Sequence, residues 1–224
     1  MRNILQNRLK STIIKQAKQI RCNGLLIGGQ MKNFFKQYSY SIIKMFVNQF
    51  AISIFGCLLA MAAAAAGNNI LMVVVSIFAI VFYLFLIYTM TWEIGATDRI
   101  SVDVGKKPYR PHTGLWLSLI ANIPNFLIAV IYTIGYPFMA TQKWAGNICS
   151  LMRVGALLLE GMYRGLTSVI TLPSGNALWH AWWSYFLIII PAIVTSWLAY
   201  FLGFKNFRFV AQYFNKTPNQ GNKK

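Results

Sequence analysis

The chain has 224 residues, 57% apolar and 15% aromatic, with a mean hydropathy of +0.51. It carries 21 Lys and Arg against 4 Asp and Glu, a formal charge of +17. So much apolar surface behind so few charges excludes an ordinary soluble domain, and basic residues separated by long uncharged runs exclude a nucleic-acid-binding surface. The pattern predicts an all-α integral membrane protein.

Residues 1–45 read as a basic cytoplasmic arm. The first thirty hold six Lys and Arg, no acid, and no apolar core of the secretory-signal kind. Three readings fit them: an amphipathic helix on anionic lipid, an organellar transit segment, or a stretch ahead of the native start. The last rests on Gly28-Gly29-Gln30-Met31, which can be encoded as a purine-rich ribosome-binding sequence just before an ATG. It predicts initiation at Met31 and leaves a net charge of +11.

Three stretches, 45–92, 111–142 and 165–204, contain no Lys, Arg, Asp or Glu. About 20 apolar residues in a helix cross about 30 Å of hydrocarbon. The first stretch therefore predicts two spans, 46–66 and 70–92, joined by a tight turn at Gly67-Asn68-Asn69. The second predicts a span over 115–140 and the third a span over 183–204, so that 46–204 forms one membrane domain and 205–224 a basic tail.

Span one carries Gln49, Ser53, Gly56, Ala60 and Ala64 on one face. This small-xxx-small series lets a neighbouring backbone come close, and packing within the chain is expected over oligomerisation. Span three carries Ser118, Asn122, Asn125, Ala129, Tyr132 and Tyr136 on one face, with Pro124 and Pro137 permitting a bend. An unpaired amide in hydrocarbon costs several kcal/mol. The asparagines are therefore expected to bond to spans one or four, the alternative being a polar path. Span four repeats the theme more weakly with Ser184, Pro191 and Thr195.

Residues 147–172 are apolar apart from Arg153, Glu160 and Arg164. At 100° per residue these three fall within about 40° of one another, with Glu160 and Arg164 an i,i+4 pair. That describes either an amphipathic helix on the outer face, dipping in as a re-entrant segment, or a fifth span. With four spans, 18 basic residues lie on the side of both termini and 3 on the other; with five the balance is 13 against 6. The positive-inside rule selects four spans with both termini cytoplasmic. Trp92 and Trp116 then mark the inner interface, and Trp144, Trp179, Trp182 and Trp183 the outer one.

The loop 93–114 is the densest polar segment, with Glu93, Asp98 and Asp103 among Arg99, Lys106, Lys107, Arg110 and His112. Its carboxylates are expected to pair with these bases and with headgroups, not to hold a metal. Lys106, Lys107 and Arg110, with Lys205 and Arg208, form a belt, each charge attracted to an anionic leaflet by about 1 kcal/mol. His112 and His180 fall on opposite sides of the membrane in this topology, and the chain has no His-Glu-x-x-His and no Walker loop. Pro173-Ser174-Gly175-Asn176 resembles one piece of the PAP2-type lipid-phosphatase signature, but Asn176 stands where that signature needs histidine; it reads as a turn. Cys22, Cys57 and Cys149 suggest no disulfide framework.

No catalytic residue, cofactor or metal is expected. The sequence points to a non-enzymatic accessory or assembly subunit of a complex in a bacterial cytoplasmic membrane, or in an organellar inner membrane if 1–30 is a transit segment. Its expected partners are anionic lipid and a membrane-complex subunit or a second copy of itself; nucleic acid is not among them. The alternative is a small oligomeric transporter or channel with its polar path along span three.

Overall fold

The computed structural model describes the backbone of residues 2–206 apart from Tyr109 and Ser174, and side chains from Lys32 onward apart from Asn33 and those two. Arg208 and the rest of the tail, and the side chains of the first thirty-one residues, lie outside the described residues. Among the described residues every regular element is helical. These are α1 (Arg2–Ala65), α2 (Asn69–Asp103), α3 (Thr113–Ala121), α4 (Ile123–Gly135), α5 (Lys143–Glu160), α6 (Arg164–Val169) and α7 (Ser184–Phe204).

Three helices are long and apolar enough to cross a membrane: Phe34–Ala65 of α1, all of α2, and α7. A fourth crossing is available if α3 and the segment Ile123–Phe138 count as one span bent by 55°. The chain divides into two units, Met1–Ser41 and Ile42–Lys224. In the first, the rings of Phe34 and Tyr38 lie 4.8 Å apart, one helical turn from each other. The expected boundary between arm and span at residue 45 is not a break in secondary structure. The first proline of the chain is Pro108, and nothing earlier than Gly67 stops the helix.

That stop follows the expected turn. Gly67 takes φ +66°, a conformation open to glycine without a Cβ penalty. The Asn68 side chain then accepts the Leu71 N–H at 3.0 Å and opens α2. α2 continues well past residue 92, through the first acidic residues of the polar loop, to Asp103.

α2 packs closely against α7. Gly95 lies against the Tyr200 carbonyl and Gly203 against that of Trp92, so close that a Cβ at either position would overlap the opposing backbone. Ser196 Oγ donates to the Gly114 carbonyl at 2.9 Å, which adds the first turn of α3 to the same seam.

The bend between α3 and α4 has a local cause. Pro124 has no N–H for the Ile120 carbonyl four residues back, and the helix breaks at Asn122. Asn122 Nδ2 donates to the Ser118 carbonyl at 2.9 Å, and Asn125 Nδ2 to Asn122 Oδ1 at 2.9 Å. Both asparagines are 2% exposed. Their side-chain bonds are made at the bend, not to α1 or α7 as expected, and Asn125 Oδ1 is buried without a partner.

The single helix expected over 147–172 is instead α5, a 3₁₀ turn at Gly161–Tyr163, and α6. The break is held by the polar face of α1. Gln49 Nε2 donates to the Leu159 carbonyl at 3.0 Å and Ser53 Oγ to that of Leu157 at 3.3 Å. The Gly161 N–H in turn donates to Ser53 Oγ, and the Leu166 N–H donates to Ser76 Oγ of α2 at 3.2 Å. Backbone groups freed where a helix ends inside a protein need such partners. Gly161 itself admits the approach, since a Cβ there would lie 2.7 Å from the Ser53 carbonyl oxygen.

Candidate functional site

The small face of α1 turns out to receive this break. A Cβ on Gly56 would meet the Met162 Cα at 2.6 Å, and Ala60 is buried. Ala64 is exposed and Ala63 takes its place in the core, because the contact follows the helix face and not a strict four-residue step.

Where α5 ends, a cavity of about 40 Å³ opens between α5, α6, the start of α7 and Trp179. Arg153, Glu160 and Arg164 all line it. The three charges singled out in the sequence therefore converge, although the helix break removes the i,i+4 relation between Glu160 and Arg164. Arg153 Nη2 donates to the Tyr132 hydroxyl at 3.2 Å, and that hydroxyl donates to the His180 carbonyl at 3.2 Å. The Tyr185 hydroxyl donates to the Trp179 carbonyl at 3.0 Å. Two tyrosines thus fasten the 178–180 turn over the cavity.

Trp179 is the common platform. The Arg164 guanidinium sits 4.1 Å from its ring centre and that of Arg153 5.4 Å from it. His180 stacks on the same indole with ring centres 3.9 Å apart. Burial, and then the Arg153 and Arg164 charges, push its imidazole below the usual histidine range. Neither arginine makes an ion pair with any of the four acidic residues, all of which are described; among the described residues the ion pairs are Lys107–Asp98 and Arg99–Asp103.

Glu160 is 6% exposed and neither of its carboxyl oxygens has a hydrogen-bond partner. Burial pushes its carboxyl up to about 8. The Tyr163 hydroxyl beside it is also buried without a partner, and burial, then the Glu160 charge, raise it well above the ordinary phenol range.

The other singled-out residues lie apart from this cavity. Ser118 is buried, Tyr136 is exposed, and Tyr132 is fully buried in the arginine contact. The three loop carboxylates do not converge. Glu93 is exposed, Asp103 meets Arg99 at 3.6 Å, and Asp98 is buried, accepting from Lys107 Nζ at 3.0 Å and the Tyr200 hydroxyl at 3.1 Å. Lys106, Arg110 and Lys205 are exposed, whereas Lys107 turns to Asp98. Sequence reasoning missed Trp179, Tyr163 and Tyr185 as parts of one site. They come from different elements, so no spacing along the chain links them. No protein family, curated protein or solved structure matches this chain.

Proposed function

We propose that the chain is a four-span protein of the bacterial cytoplasmic membrane, with both termini cytoplasmic and α5–α6 entering from the outer side and turning back. In this arrangement it serves as a non-enzymatic accessory or assembly subunit of a membrane complex. The observation that supports this reading is the use made of its polar groups. Ser118, Asn122 and Asn125 bond to one another at the bend, and Asp98 is taken up by Lys107 and Tyr200. The Asp98–Tyr200 bond ties α2 to α7 and the asparagine bonds brace the bend, so that, Asn125 Oδ1 apart, these polar groups are engaged within the chain and leave little to line a path across the membrane.

The test is isolation from native membranes in mild detergent, paired with reconstitution of the purified chain into liposomes. A subunit co-purifies with one partner in fixed stoichiometry and alone carries no flux of protons or small anions. A particle made of this chain only that sustains such flux overturns the reading. The transporter reading is favoured by one observation, the partnerless Glu160 on a polar cavity, because an ionisable group buried in a membrane protein is costly without a use. It requires that Glu160→Gln or Asn122→Ala abolish flux while the protein still folds.

A further inference from the structure

We propose that the cavity bounded by α5, α6 and Trp179 is a binding site for a phosphate-type oxyanion, gripped by Arg153 and Arg164 with Glu160 as a hydrogen-bond donor. The proposal stands on the cavity alone and holds for either reading of function. Two guanidinium groups rest against one indole ring, at 4.1 and 5.4 Å from its centre. No carboxylate pairs with either. The one acid in the cavity, Glu160, makes no bond to them or to anything else. Between them these groups leave two positive charges without a counter-ion and one buried carboxyl with both oxygens free. A bound oxyanion supplies what each lacks: acceptor oxygens for the arginines and an acceptor for the Glu160 hydroxyl.

The shape narrows the class. About 40 Å³ holds roughly three waters, or one compact anionic group, so that only the headgroup of a larger molecule would enter. The donors come from three points on the wall, the middle of α5, its end, and α6. That suits a tetrahedral oxyanion better than a planar carboxylate. The remaining titratable neighbours are Tyr83 of α2, Tyr132 of α4, Cys149 of α5, Tyr163 of the 3₁₀ turn, Tyr185 of α7 and His180. None of them brings a negative charge at neutral pH. A free phosphate and the phosphodiester of an anionic lipid share this chemistry.

Binding is tested on the full chain in a maltoside detergent, which contains no phosphate. The probes are inorganic phosphate, dimethyl phosphate and a short-chain phosphatidylglycerol, with acetate and chloride at matched ionic strength as controls. Saturable binding of a phosphate probe, weakened about tenfold or more by Arg164→Gln and less by Arg164→Lys, supports the site. Binding of the small anions identifies a soluble ligand; binding of the lipid alone identifies a headgroup. Dimethyl phosphate keeps one charge throughout, so its affinity should fall between about pH 6 and about pH 9 as Glu160 ionises. Glu160→Gln, whose amide still donates, should bind without that dependence. This arm needs no arginine variant to fold. No saturable binding of any phosphate probe, acetate binding as tightly as phosphate, indifference to Arg164→Gln, or a pH-independent wild type would each overturn the proposal.

Discussion

Glu160 and His180 pull stability in opposite directions with pH. An unfolded glutamate releases its proton near 4.5, whereas the buried Glu160 holds it to about 8. Between those values the folded state carries more protons than the unfolded, so stability falls as pH rises, by at most about 1.4 kcal/mol per pH unit. Below the window both states are protonated and nothing is lost; above it the loss is complete. His180, held below its ordinary 6.5, carries fewer protons when folded, so its contribution grows as pH rises towards that value. Comparing wild type with Glu160→Gln isolates the glutamate. Thermal unfolding in detergent should show the variant gaining on wild type steadily from about pH 5 to about pH 8; parallel curves would contradict the burial of this carboxyl. At the bend between α3 and α4, Asn122→Ala removes the acceptor of Asn125 Nδ2 and the donor to the Ser118 carbonyl. A buried donor left unsatisfied costs about 1–3 kcal/mol, so a lowered unfolding temperature is expected, and an unchanged one would mean that water replaces the bond.

Among the elements, the α2–α7 seam depends on a glycine from each helix. A methyl group on Gly203 would overlap the Trp92 carbonyl, and one on Gly95 that of Tyr200. Helices this close can answer only by moving apart. Overpacking of this kind costs about 1–3 kcal/mol, so Gly203→Ala should lower the unfolding temperature, whereas alanine at Gly146, whose nearest neighbour would lie at 3.6 Å, should not. The contrast also shows what the sequence could reveal. Charge-free length and the Gly67-Asn68 turn marked α1, α2 and α7, because these depend on composition and local chemistry. Pro124 marked the bend for the same reason. The seam escaped notice because Gly95 lies beyond the expected end of its span, in a helix that runs on to Asp103. The break after Glu160 escaped it because the side chains that bond to it, Gln49 and Ser53, lie more than a hundred residues away. Arg153, Glu160 and Arg164 were legible as one stripe because they are near in sequence; Trp179 and Tyr185, which complete the cavity, were not.

For the molecule as a whole, the side of the membrane on which each loop lies sets where the cavity opens. The proposed four-span arrangement would put 18 basic residues on the side of the termini against 3 on the other, where five spans would put 13 against 6, and the positive-inside rule favours the former. The fold is compatible with it provided that α3 and Ile123–Phe138 make a single bent crossing. Single cysteines placed in a background lacking Cys22, Cys57 and Cys149 can test this, at the exposed positions Lys106, Gln142, Asn176 and Asn206. A membrane-impermeant maleimide added to intact cells should label Gln142→Cys and Asn176→Cys, and reach Lys106→Cys and Asn206→Cys only after permeabilisation. Labelling of Asn206→Cys from outside would require an odd number of crossings: three if Gln142→Cys stays protected, because α3 and Ile123–Phe138 then turn back, or five if Gln142→Cys is labelled as well. With five, the segment from Lys143 to Val169 would have to carry Arg153, Glu160 and Arg164 through the hydrocarbon, at about 2.5–3.5 kcal/mol for a charge at the bilayer centre. The four-span arrangement avoids that cost by bringing the same three residues in and back on one side. In the proposed arrangement the cavity faces the outer side, within reach of both a soluble oxyanion and a lipid headgroup.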